Sequence, residues 1–215
     1  MAQAKKRKKF FDVEIPLLKK DTQLFAYSLE ELEGRIIKYD LTRLLRGKNA
    51  LLTLRVSTKD KTPTSIPKEI MLLPYFLAKM VRKGTNYVED SFSLQCKDAQ
   101  IRIKPFLITR RKVSRAVRKA LRNKAKEELI LYLKGKTTEA IFQEIIQNKL
   151  QKTLSLKLKK IYPLSLCEIR VLKVEKELEK KPAKEKVSKV AESKTEEEEE
   201  DVLEESEEID SSEGE

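Results

Sequence analysis

The chain has no histidine and no tryptophan, and only five glycines and two cysteines. Without histidine there is no imidazole general base, no serine–histidine–aspartate triad and no histidine-containing zinc site. Cys96 and Cys167 stand too far apart for a Cys-x-x-Cys metal or redox pair. Two such thiols read as reduced residues of a cytoplasmic protein. Gly34, Gly47, Gly84, Gly135 and Gly214 are too scattered for a dinucleotide-binding turn or a Walker loop. No apolar run approaches the ~18 residues of a membrane span, so no membrane partner is expected. The basic N-terminus has no apolar stretch behind it, as a secretory signal would, and position 2 is not the glycine that myristoylation needs. No catalytic imidazole, cysteine metal site or nucleotide cofactor is therefore expected.

Charge is what the sequence has in excess. Its 215 residues include 47 Lys or Arg and 35 Asp or Glu, a net charge of +12. From Glu192 to Glu215 there are 14 acids and one cation, Lys194, so the preceding body holds 46 cations against 21 acids. A body that basic is hard to explain as an ordinary enzyme surface and easy to explain if its charges meet phosphate.

The periodicities predict an α+β fold: β-rich first, then helical, then a last strand. Residues 1–9 hold the consecutive cations Lys5, Lys6, Arg7, Lys8 and Lys9 and read as a disordered basic arm. Residues 10–178 read as one folded domain. Residues 179–215 read as a charged disordered tail, acidic from 192. Within the domain, Phe10 to Pro16 reads as a strand. Ser28 and Glu31 have the spacing of a capping box, predicting a short helix closed at Gly34. Ile36 begins another strand, followed by a short helical turn from Asp40 to Gly47. Ala50 to Thr58 alternates as a strand, and Lys59 to Pro67, with its two prolines, reads as a loop. Tyr75 to Arg82 has helical spacing. Val88–Cys96 and Ala99–Ile108 read as two strands joined at Lys97-Asp98. Helices are expected from about Thr109 to Lys134, after Thr137 or Thr138, and over 151–161, although Leu154, Leu156 and Leu158 also fit a strand. Ser165 to Val174 is the last strand. Beyond Leu121 the long helix presents Leu129, Ile130 and Leu133 on another side, so either a second partner covers them or the helix breaks near Glu127.

The most informative segment is acid-free, from Ala99 to Lys126, with eleven cations between 102 and 126. Lys112, Arg115, Lys119, Arg122 and Lys126 recur at steps of three and four, which share one helical face. Arg111 and Arg118 widen the stripe, and Arg110 adjoins it. Val113, Ala116, Val117, Ala120 and Leu121 lie opposite. A solvated face normally mixes signs, so an unrelieved stripe reads as a phosphate-contacting helix. Smaller groups of the same kind are Arg82-Lys83, Arg43 with Arg46, and Lys157 with Lys159 and Lys160. Several separated patches suggest a large polyanion. The six tyrosines stand mostly in apolar contexts and read as core. Backbone and shape contacts are therefore expected, not stacking on single strands. A rival reading is a metal-dependent nuclease built on Glu89, Asp90 and Asp98, but the usual Glu-x-Lys partner is replaced by Gln100-Ile101-Arg102.

Certain short motifs also carry a resemblance. They are Phe11-Asp12-Val13, Gly34-Arg35, Asp40-Leu41-Thr42, Arg82-Lys83-Gly84-Thr85, Arg102 to Phe106 with Thr109 to Val113, and Lys159-Lys160-Ile161-Tyr162-Pro163-Leu164 with Glu168-Ile169-Arg170. In this order and spacing, from about Phe10 to Val174, the chain resembles the small-subunit ribosomal protein family S-one-e, also called S three A e, in its archaeal form. Two features depart from the family pattern: Met71 to Pro74 replaces a Glu-Leu-Thr-Arg stretch, and Lys97-Asp98-Ala99 lacks the hairpin glycine. The resemblance implies a β-sheet or barrel-like core flanked by helices, without catalysis. It implies a place on the platform of the small ribosomal subunit, near the mRNA exit. Its implied partners are small-subunit rRNA, neighbouring platform proteins and mRNA near its exit. The alternative is an extraribosomal RNA-binding adaptor whose acidic tail engages a partner.

Overall fold

Alternation of apolar and polar residues builds most of this molecule. The computed structural model describes residues 7–45, 47–60 and 62–177. They belong to the first of two units of the chain, Met1–Leu178 and Glu179–Glu215. Lys5, Lys6, Arg46 and the tail expected over 179–215 lie outside the described residues.

Strand β1 (Lys9–Ile15) buries Val13 and Ile15 on one face. It pairs antiparallel with β2 (Lys20–Ala26), which the sequence reading did not anticipate. Of β2's side chains only Ala26 is fully buried, so its pattern carries little apolar signal. The helix expected after Ser28 is a single 3-10 turn, Glu30–Leu32. Leu29 takes the cap position without a side-chain bond, and the Glu31 carboxylate accepts from the Tyr27 N–H (2.8 Å). The turn ends because the Gly34 N–H is already held by the Val56 carbonyl (2.9 Å), which returns the chain to extended form.

β3 (Ile36–Asp40) pairs with β4 (Ala50–Asp60). Between them lies the expected single helical turn: the Leu45 N–H donates to the Leu41 carbonyl (2.9 Å), and Gly47 closes it at φ +89°. The Asp40 carboxylate accepts the Thr42 N–H (2.8 Å) and hydroxyl at its start. These bonds, with help from Arg43, hold the Asp40 carboxyl below its usual range.

The largest departure is β5 (Thr62–Leu72), an eleven-residue strand running through the segment read as a loop. Pro63 and Pro67 mislead because proline lacks a ladder N–H. Here both sit at irregularities of the β4–β5 register, between Ser57 and Asp60 and between Thr53 and Leu54, where the extra residue of a bulge removes the need for that donor. β5 also contacts β1 in parallel at Glu14–Thr64 and the last strand, β9 (Leu164–Glu177), antiparallel at 69–71.

Helix α1 (Pro74–Met80) starts on a proline in its first turn and buries Phe76 and Leu77. One strand was expected over Val88–Cys96, and two form: β6 (Tyr87–Glu89) and β7 (Phe92–Gln95). Both pair with β8 (Ala99–Thr109), on either side of Lys104 and Pro105, where the β8–β9 register also slips. At the gap the Ser91 N–H bonds to the Asp90 carboxylate (2.9 Å). Pro105 to Thr109 is buried on both faces.

Three helices follow: α2 (Arg115–Leu133), α3 (Thr138–Ile146) and α4 (Lys149–Leu158). α2 continues unbroken past Glu127. Its buried residues Leu121, Ala125, Leu129 and Leu133 recur every four positions, and Ala116 and Ala120 are left exposed. α2 packs against α4 and β6. The last strand, β9 (Leu164–Glu177), returns beside β8. The described residues form one mixed nine-stranded sheet with the path β2-β1-β5-β9-β8-β6, β3 and β4 branching from β5 and β7 pairing with β8. The fold class is α+β.

Candidate nucleic-acid interface

Two short basic motifs distant in sequence are clasped together in space. Arg82 to Thr85 is a tight turn: the Thr85 N–H (3.3 Å) and hydroxyl (2.7 Å) both donate to the Arg82 carbonyl. Gly84 allows it, because its φ of +85° lies where a side chain is strained. The next residue, Asn86, meets the end of β8. Its N–H donates to Thr109 Oγ1 (3.0 Å), and the Thr109 N–H donates back to the Asn86 carbonyl (2.9 Å). Thr109 Oγ1 lies 2.8 Å from the Arg111 carbonyl, to which its hydroxyl can donate. The Val113 N–H donates to Asn86 Oδ1 (2.9 Å). Thr109 is fully buried and Asn86 half-buried, so the clasp is partly shielded from water. It fixes Arg82 and Lys83 beside the segment Arg110, Arg111 and Lys112, and all five cations are exposed.

α2 begins directly after this segment. Ser114 is its N-cap, the side chain accepting from the Val117 N–H at 3.4 Å. Lys112 and Arg111 therefore precede the helix and are not part of its stripe, because Asn86 and Ser114 take the backbone donors that would have extended it. On the helix, Arg115, Lys119, Arg122 and Lys126 remain on one exposed face. Arg118 is half-buried, and its Nε is buried without a partner among the described residues. Lys126 Nζ lies 5.7 Å from the centre of the Phe92 ring.

The charges of α2 run against its dipole. Its first turn has no acid and its last turn no cation. Glu127 and Glu128 lie in the C-terminal half, where Lys124 (3.4 Å to each) and Lys157 neutralise them. The contact with Lys157 lowers the Glu128 pKa below its ordinary value. The N-terminal half, where the dipole is positive, carries Arg115, Arg118 and Lys119 with no intramolecular carboxylate partner among the described residues.

The remaining cations sort by whether a carboxylate holds them. Arg102 pairs with Glu175 (2.7 Å), Arg170 with Glu89 (3.0 Å), Lys48 with Glu168, Lys68 with Glu177 and Lys136 with Glu144. Lys157 is tied to Glu128, which removes it from the patch it was expected to form with Lys159 and Lys160. Lys159 and Lys160 are exposed at the end of α4. Arg43 is exposed in the turn after β3, and Arg7, Lys8 and Lys9 are exposed at the start of β1. Lys5, Lys6 and Arg46 have no described position.

Sequence reasoning missed two things. Asn86 gives no local signal, since its partners lie on another element. The tyrosines were read as core, but Tyr27, Tyr75 and Tyr87 are at least half exposed; Tyr39, Tyr132 and Tyr162 pack against the core. Glu89, offered as a metal ligand, is an ion-pair partner instead, and among the described residues no three His, Cys, Asp or Glu side chains gather. Burial pushes the Cys96 thiol up to about 11 and, more deeply, the Cys167 thiol up to about 12. Among the described residues no helix is long and apolar enough to cross a membrane.

Residues 2–178 match the model of the Ribosomal S3Ae family. The small ribosomal subunit protein eS1 of Nanoarchaeum equitans (strain Kin4-M) is 26% identical over 159 residues, which cover 70% of this chain and 80% of that protein.

Proposed function

Because the chain belongs to the ribosomal S3Ae family, we propose that it is a structural constituent of the small ribosomal subunit, held to rRNA through its unpaired cations. The observation that carries this reading is the unbroken, acid-free row of cations that runs from the end of β8 along α2. Elsewhere, Lys48, Lys68, Arg102, Lys136, Lys157 and Arg170 are matched to carboxylates, and single unpaired cations such as Lys38, Arg55 and Lys149 stand apart from the row. Arg82, Lys83, Arg110, Arg111, Lys112, Arg115, Lys119 and Arg122 form no ion pair with any described residue. Evolution of a solvated surface mixes signs; a surface that docks on phosphate keeps its cations free.

The role needs no bond-breaking chemistry. Arg supplies forked, bidentate contacts to phosphate oxygens and Lys supplies point charges. The Asn86–Thr109 clasp sets the spacing between the two basic segments, and α2 extends the row of cations along its exposed face. Arg43 and the Lys159-Lys160 pair provide more distant contacts, and the basic run from Lys5, whose last residue Lys9 already belongs to β1, adds cations on the N-terminal side. The proposed seat is the platform near the mRNA exit, with neighbouring platform proteins as partners.

The test is binding of the full chain to small-subunit rRNA over a salt series. Six or so phosphate contacts give a slope of about −5 in log K against log salt, and roughly a thousandfold weaker binding between 50 and 200 mM. A flat response refutes the reading, as does failure of the protein to remain on small subunits through a moderate salt wash.

A further inference from the structure

The β1–β2 hairpin carries three aromatic rings that the core does not use. Phe10, Phe25 and Tyr27 are 69%, 47% and 50% exposed. Phe10 and Phe25 are cross-strand partners, with ring centres 4.8 Å apart and planes tilted by 41°. Lys8 Nζ lies 5.0 Å from the centre of the Tyr27 ring and 5.7 Å from that of Phe25. The Arg35 guanidinium donates to the Phe25 carbonyl at 3.0 Å. β2 is the end strand of the sheet path, so among the described residues no further strand pairs with it.

Ring surface of this extent is unfavourable in water unless something covers it. The charge around it is graded. Lys8 and Arg35 lie at its Tyr27 end, whereas Asp12, Glu14 and Asp21 are exposed on the same face of the hairpin at the far end. A polyanion that also offers flat apolar faces fits the rings and their cationic end.

We propose that unpaired nucleotides of small-subunit rRNA stack on Phe10, Phe25 and Tyr27, with Lys8 and Arg35 at their phosphates. The inference rests on the rRNA reading above but names a second site of different chemistry. The α2 face meets backbone phosphate, whereas the hairpin meets exposed bases. Every base has a π face, so the platform is tolerant of sequence and selective for single strands over duplex.

Because the chain has no tryptophan, Phe25→Trp places one reporter on the platform. Single-stranded oligouridylate should quench it at saturation, and an RNA duplex bound through α2 should not. In the full chain, Phe10→Ala with Tyr27→Ala should weaken oligouridylate binding about 30-fold or more and leave duplex affinity unchanged. If the double variant does not fold, the Trp reporter decides alone. No quenching while duplex binding persists overturns the platform and spares the rRNA reading. Loss of duplex and single-strand binding by the same factor also overturns it. RNA-independent docking of another ribosomal protein on these rings, without quenching, assigns the patch to that protein and overturns it too. If the wild-type chain binds neither RNA, both readings fall.

Discussion

The substitution Arg115→Glu should make the free protein more stable and its complex with rRNA weaker. Arg115 is the first residue of α2, exposed, with no acid in that turn. A cation at a helix N-terminus is unfavourable by about 0.3–1 kcal/mol and an anion is favourable by the same amount, so the exchange is worth about 0.6–2 kcal/mol. Lys119, one turn on, repels Arg115 in the wild type; it would attract the introduced carboxylate, a swing of about 0.4–1 kcal/mol. Screening at an exposed site favours the low end, so the net gain is about 1 kcal/mol and Tm rises by roughly 2–4 °C for a unit of this size. Binding moves the other way. One phosphate contact is lost and a negative charge faces the backbone, so affinity falls by about tenfold and the salt slope loses about 0.9 in magnitude. Calorimetry on the free protein and filter binding over a salt series read the two effects separately. A variant that is less stable than wild type, or one that binds rRNA equally well with the same slope, refutes the account of α2 as a helix shaped for an external anion.

Other outcomes follow from the same geometry. Thr109→Val should lower stability by about 1–3 kcal/mol, because it strands the Asn86 N–H and the Arg111 carbonyl in a buried place; Thr109→Ser should stay close to wild type, and urea midpoints distinguish them. Glu128→Gln should lose the stability that comes from the pairs with Lys157 and Lys124. The Glu128 carboxyl is depressed below its ordinary 4.5 in the fold. Wild type should therefore keep its advantage above pH 4.5 and lose it as pH falls through the depressed value, visible as converging acid-denaturation curves. Cys96 and Cys167, with thiols raised to about 11 and about 12, should resist a thiol-labelling reagent at neutral pH in the native protein and react at the rate of unfolding.

Much of this fold could be read from spacing alone. β1, β4, β8 and β9 announce themselves by alternation, and α2 to α4 by apolar residues at steps of three and four. The failures share one cause: the deciding partner lies far along the chain. Pro63 and Pro67 belong in β5 only because bulges in its pairing with β4 accept them. β6 and β7 separate beside the slip at Pro105 in a different strand. β2 buries so little that its pairing with β1 leaves no local trace. The cations were visible as a stripe, but not which of them carboxylates would claim. Lys157 was lost to Glu128 and Lys112 to the segment before the cap. Tyr27 looked like core because sequence context cannot tell an edge hairpin from an interior one.

β8 and β9 are neighbours in the sheet, yet all of α2, α3 and α4 lies between them in the chain. A nascent polypeptide therefore presents β8, with its apolar run from Pro105 to Ile108, before the strand that will pair with its free edge has been made. At a synthesis rate of about 5–20 residues per second this interval is on the order of 3–10 s. Any product that stops short of Leu164 keeps that edge open for good.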